Sequence, residues 1–120
     1  MKKIIILIVS IILLVGCNNN SNNVNNKIEE ELTLDQIIES ENYILLDVRT
    51  NEEYNESHLL NSINIPYDTI NEETQLDKTK YILVYCRSGN RSNIAKNTLE
   101  NLGYDVYDLG AFDNIDLPKE

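Results

Sequence analysis

Cys86-Arg87-Ser88-Gly89-Asn90-Arg91-Ser92 is the stretch of this chain whose residue types and spacing suit covalent chemistry. A thiol attacks as its thiolate, and a free cysteine titrates near 8.5, so its neighbours decide its reactivity. Here the cysteine follows the apolar run Tyr81–Tyr85 and precedes a helical pattern that Ser92 is placed to cap. A short glycine-bearing loop between strand and helix can turn successive N–H groups inward as an anion nest. The helix start adds roughly half a positive charge, and Arg87 and Arg91 add two formal ones. A thiol at the floor of that cradle titrates low. The competing reading is a structural cysteine ending a strand, with two solvated arginines; it suits Cys86 alone better than it suits the whole loop.

The elements that must position this loop are legible upstream and downstream. Tyr43-Ile44-Leu45-Leu46 and Tyr81-Ile82-Leu83-Val84-Tyr85 are continuous apolar bursts, as in strands covered on both faces of a parallel sheet. Val106-Tyr107 is a weaker strand, and Ile28–Leu32 and Ser62–Ile65 are short candidates. Thr33-Leu34-Asp35-Gln36 and Thr50-Asn51-Glu52-Glu53 each fit a capping box. Ile94, Ala95, Thr98, Leu99 and Leu102 recur at helical spacing, and Gly103 supplies a left-handed stop. Strands alternating with helices predict an α/β domain of three layers, with a central, mostly parallel sheet and helices on both faces. Ligands of such sheets bind outside the carboxyl ends of the strands, where Cys86 lies.

The N-terminal part reads differently. Met1-Lys2-Lys3 is basic, Ile4–Val15 is almost wholly apolar, and Leu14-Val15-Gly16-Cys17 resembles a bacterial lipobox. The apolar run is shorter than the roughly 20 residues of a membrane-spanning helix. The expected organisation is therefore a signal peptide over 1–16, a lipidated Cys17 with an asparagine-rich tether over 17–26, and a folded domain over 27–120. That places the product outside the cytoplasm, held to the membrane by lipid on Cys17. Loss of Lys2 and Lys3 with the signal leaves 8 basic against 20 acidic side chains. So acidic a surface argues against nucleic acid as a partner. With Cys17 consumed by lipid, Cys86 is an unpaired thiol in an exported protein, the situation that flags reactivity. The single His58 and Cys86 are too few for a metal site, and no cofactor is expected.

The ordered set of motifs resembles the rhodanese-like (sulfurtransferase) family from about Ile28 to Pro118. Cys86–Ser92 is similar to that family's active-site loop, Leu46-Asp47-Val48-Arg49 with Glu52-Glu53-Tyr54 to its Asp-Val-Arg and Glu-Tyr signature, and Ser57–Pro66 to its Gly-His-Ile-Pro-Gly-Ala-Ile-Asn-Ile-Pro segment. The resemblance implies a monomer in which Cys86 is the catalytic nucleophile and Arg87, Ser88, Gly89, Asn90, Arg91 and Ser92 bind the substrate. Asp47 and Arg49 support the site without reacting, and His58 is structural. The implied chemistry moves a sulfane sulfur from a donor such as thiosulfate to cyanide or a small-molecule or protein thiol, through a Cys86 persulfide. A carrier or redox-sensing module that holds the persulfide without turnover is the alternative. Arsenate or phosphate-ester chemistry is disfavoured, because Cys-x4-Arg is one residue shorter than the loops of the related phosphatases and arsenate reductases. The chain departs from the family pattern at Ser57, Leu60-Asn61 and Gly110-Ala111-Phe112, and the terminal helix looks shortened before Leu117-Pro118.

Overall fold

The computed structural model describes residues 30–120, of which Glu31–Glu120 form one compact unit. The expected signal, Cys17 and the tether lie outside the described residues. The elements run α1 (Leu34–Ser40), β1 (Tyr43–Asp47), α2 (Asn51–Glu56), β2 (Ile63–Asn64), β3 (Tyr81–Cys86), α3 (Asn90–Asn101) and β4 (Val106–Ala111), with 3-10 turns at Tyr67–Thr69 and Phe112–Asn114. The four strands form a parallel sheet in the order β2-β1-β3-β4. The fold is the α/β architecture anticipated above.

Alternation along β1 and β3 explains why both strands read as unbroken apolar runs. Leu45, Leu83 and Tyr85 face one side, where Ile37 of α1, Leu59 and Ile115 cover them. Leu46, Ile82, Val84 and Cys86 face the other, against Ala95 and Leu99 of α3. A strand covered on both faces has no polar side to display. Both capping boxes form: Thr33 Oγ1 accepts from the Gln36 amide at 3.3 Å while Gln36 Oε1 accepts from Thr33 N at 2.8 Å. Thr50 and Glu53 repeat the exchange at 3.2 and 3.4 Å.

Four local expectations are corrected. Residues 30–32 of the Ile28–Leu32 candidate form no strand. The Ser62–Ile65 candidate shrinks to Ile63–Asn64. Val106-Tyr107 extends to Ala111, because β4 pairs along β3 through a register shift that brings Tyr85 beside Gly110 and Cys86 beside Ala111. Pairing with a central strand there overrides the poor strand propensity of Asp108 and Gly110. Ser92 is not the cap of the third helix: the cap falls three residues earlier, at Gly89 with φ +95°, which has no side chain to offer the first turn.

The departures from the family pattern have local accommodations. Asn61 takes a φ of +66°, a left-handed conformation that asparagine tolerates better than most residues. After Gly110 the chain makes only the 3-10 turn Phe112–Asn114, and returns so that Lys119 bridges Leu59 antiparallel.

Candidate active site

The loop Cys86–Arg91 joins the carboxyl end of β3 to the start of α3. Cys86 is fully buried, and the Gly89 amide donates to its Sγ at 2.9 Å. Gly89 has no side chain to offer the first helical turn, and the Ser92 and Ser88 amides lie close enough to the sulfur to help lower the thiol.

Ser92 Oγ lies 3.4 Å from Sγ and donates to the Gly89 carbonyl at 3.0 Å. The neutral thiol donates to this oxygen; once it ionises, the hydroxyl can swing round and donate to sulfur instead. Burial pushes the Cys86 thiol up, yet the Ser92 hydroxyl and the Ser92, Gly89 and Ser88 amides together hold it below the ordinary range. The net effect raises the share of thiolate above that of an ordinary cysteine.

The residues expected to bind substrate separate into four groups. Arg87, Ser88 and Asn90 present exposed side chains. Gly89 makes the turn at a left-handed φ of +95° that strains any residue with a side chain, although the space itself would admit a Cβ, with Gly110 Cα 3.9 Å away. Ser92 is fully buried, so it supports the sulfur from inside rather than meeting a ligand at the surface.

Arg91 occupies none of these places. Its Nη1 and Nη2 donate to Glu53 Oε1 and Oε2 at 2.7 and 3.0 Å. The Arg91 hydrogen bonds hold the Glu53 carboxyl down at about 2, and Glu53 raises the Arg91 guanidinium in return. This arginine ties the loop to α2.

Asp47 and Arg49 form a second closed pair beneath the loop. Arg49 Nη2 donates to Asp47 Oδ2 at 2.6 Å, Arg49 Nε reaches both oxygens at 2.9 and 3.0 Å, and the Arg49 amide donates to Oδ1 at 2.8 Å. Arg49 Nη2 also donates to the Ser57 carbonyl at 2.6 Å, and the guanidinium lies 4.4 Å from the centre of the Phe112 ring. Phe112 in turn stacks on Tyr85, whose buried hydroxyl is pushed up to about 12, chiefly by burial. His58 stacks on Tyr54 at 3.9 Å, and its Nδ1 is bonded to the Tyr54 carbonyl.

Beside the loop lies a cavity of about 170 Å³, lined by Arg49, Glu53, Glu56, Ser57, Arg87, Phe112 and Asp113. Sequence reasoning missed Glu56, Phe112 and Asp113 as its walls, and read Glu53 as a helix cap within the Glu-Tyr signature without placing it at the cavity. Only the Glu53 motif carried a signal; the other three are unremarkable residues that the fold brings to one mouth. Among the described residues no group of three or more His, Cys, Asp and Glu side chains is placed to hold a metal.

Three comparisons bear on this geometry. The profile of the rhodanese-like domain family matches residues 31–115. The thiosulfate sulfurtransferase PspE of Escherichia coli is 36% identical over 78 residues, covering 62% of this chain and 75% of that protein. The adenylyltransferase and sulfurtransferase uba4 of Ogataea parapolymorpha is 37% identical over 79 residues, but the matched region spans only 20% of that larger protein. Among solved structures, a rhodanese with anions from E. coli superposes with a TM-score of 0.60 at 34% identity, covering 65% of this chain and 96% of that one.

Proposed function

Because this chain belongs to the rhodanese-like domain family, we propose that it is a sulfurtransferase whose nucleophile is Cys86. The observation that carries the reading is a buried Cys86 sulfur at the floor of a Cys-x4-Arg loop, taking the Gly89 amide at 2.9 Å. Those donors stabilise negative charge at one sulfur atom, which serves first the attacking thiolate and then the inner sulfur of a persulfide. The Cys86 thiolate attacks the outer sulfur of a sulfane donor such as thiosulfate. The new S–S bond forms as the donor's own S–S bond breaks, and sulfite leaves with the electron pair. A thiolate or cyanide then attacks the outer sulfur of the Cys86 persulfide and carries it away, restoring the thiolate.

Arg87 supplies the positive charge for an anionic donor, since Arg49 and Arg91 are held by carboxylates. A related rhodanese was solved with anions, which accords with an anionic donor. Cys86 is sealed in this structure, so the exposed tip Arg87-Ser88 shifts to admit the donor. The reading extends to the N-terminus: Cys17 carries lipid, and the domain, a monomer, works at the outer face of the cell membrane. Intact-mass measurement of the membrane-extracted protein tests this, because lipidation adds acyl mass that Cys17→Ala lacks.

The activity is tested with the full chain in nonionic detergent micelles, given thiosulfate and cyanide, by measuring thiocyanate. Turnover in wild type and none in Cys86→Ser is the expected result. Equal rates in both overturn the enzyme reading. One stable added sulfur on Cys86 without repeated turnover assigns the protein to sulfur carriage instead.

A further inference from the structure

The cavity beside the loop is lined by two guanidinium and three carboxylate groups. Internal pairing removes two of these five: Arg49 is held by Asp47, and Glu53 by Arg91. Arg87 then remains without an ion pair among the described residues, facing Glu56 and Asp113, which have none either. Lys119 lies 5.0 Å from the centre of the Phe112 ring and is the other cation nearby, although it does not line the cavity. Glu56 is also the last residue of α2, where a carboxylate opposes the helix dipole and makes no hydrogen bond with its side chain. Local stability therefore gives no reason for it. The cavity holds about five or six waters at roughly 30 Å³ each, the scale of a small molecule rather than a peptide.

Resting on the sulfur-transfer reading above, we infer that this mouth selects small thiols, and the persulfides made from them, that carry an ammonium group beside their sulfur. Glu56 and Asp113 receive the ammonium, and Arg87 faces the anionic sulfur end. The thiol loses its proton to solvent and attacks the outer sulfur of the Cys86 persulfide. A new S–S bond forms, the old one breaks, Cys86 departs as thiolate, and the aminothiol leaves as its persulfide. The reverse of the same step loads Cys86 from an aminothiol persulfide. Dianions enter against the two carboxylates.

The test reads the mouth without requiring turnover. Cys86 of the full chain in nonionic micelles is modified at low ionic strength by the trimethylammonioethyl, methyl and sulfonatoethyl methanethiosulfonates. Each rate is read at Cys86 by peptide mass spectrometry and divided by the rate with 2-mercaptoethanol. The cation-to-anion rate ratio is expected to fall about three- to tenfold in Glu56→Gln/Asp113→Asn, the scale of two exposed charges. It is expected to rise in Arg87→Gln and to flatten in concentrated salt. Both carboxylates are exposed, so neutralising them leaves the core intact. In turnover, the double variant should lose the preference for cysteamine over 3-mercaptopropionate as acceptor. An unchanged ratio in the double variant overturns the inference even where thiocyanate is formed. Absent thiocyanate with a carboxylate-dependent ratio instead strikes the sulfurtransferase reading.

Discussion

Arg91 and Glu53 stand 38 residues apart in sequence and close on each other through two hydrogen bonds of 2.7 and 3.0 Å. Glu53 caps α2 with the same Oε1 that takes Arg91 Nη1. One carboxylate therefore couples the start of α2 to the first turn of α3, and through it to the loop that holds Cys86. Glu53→Gln keeps the shape but removes the charge. We expect a loss of about 1–3 kcal/mol in chemical denaturation, as for a charge-assisted hydrogen bond. Reactivity of Cys86 toward iodoacetamide should change in the same variant; identical reactivity would mean that the pair does not position the loop.

Acid should release the same tie. The Glu53 carboxyl is lowered from 4.5 to about 2 in the fold, so its contribution is complete above about 4.5 and disappears as pH falls toward 2. Stability measured from pH 6 down to pH 2 should show this loss in wild type, and a shallower one in Glu53→Gln. Parallel curves would remove Glu53 from the account of acid sensitivity.

Ser92 is expected to act on the Cys86 thiol rather than on substrate affinity. Its hydroxyl is among the groups that lower the thiol, so Ser92→Ala should move the midpoint of the pH–alkylation profile upward, toward the free value near 8.5. Above that midpoint the variant and wild type should react alike. A midpoint that stays in place would leave the backbone amides as the whole cause.

Leu83 sits at the centre of the sheet with no exposed surface, packed among Leu45, Tyr85 and Ile37. Leu83→Ala removes buried methyl groups and leaves a cavity, at a cost of about 2–5 kcal/mol. Urea denaturation gives the figure directly. A loss under 1 kcal/mol would mean that the face under α1 is loosely packed.

Asn61 holds a φ of +66° in the turn before β2. Glycine meets no steric penalty there, so Asn61→Gly should be neutral within about 0.5 kcal/mol, whereas Asn61→Val should cost about 1–2 kcal/mol. Equal melting temperatures for the two variants would show that the turn adapts.

Much of the scaffold was legible because its signals are local. Thr33 with Gln36, and Thr50 with Glu53, announce helix starts through bonds between residues three apart. β1 and β3 announce themselves because strands buried on both faces must be apolar throughout. The loop Cys86–Ser92 was legible for the same reason: its cysteine, glycine and strand-to-helix setting are contiguous. β4 was half missed, since Asp108 and Gly110 are held in the sheet by β3 rather than by their own preference. The start of α3 was misplaced by three residues because it is capped by a glycine, which carries no capping side chain to announce it.

Taken alone, the chain determined the α/β class and the strand–loop–helix setting of Cys86, because backbone preference needs only near neighbours. Tertiary structure decided which charges remain available. Arg91 read as the equal of Arg87 until the fold set Glu53 against it, while Arg49, read as a supporting residue, is paired with Asp47. It also decided what stands at the mouth, where α2, the loop and the turn after β4 bring Glu56, Arg87 and Asp113 together. Charge pairing falls off with distance in space, not along the chain, so only the folded arrangement settles which arginine is left for a ligand.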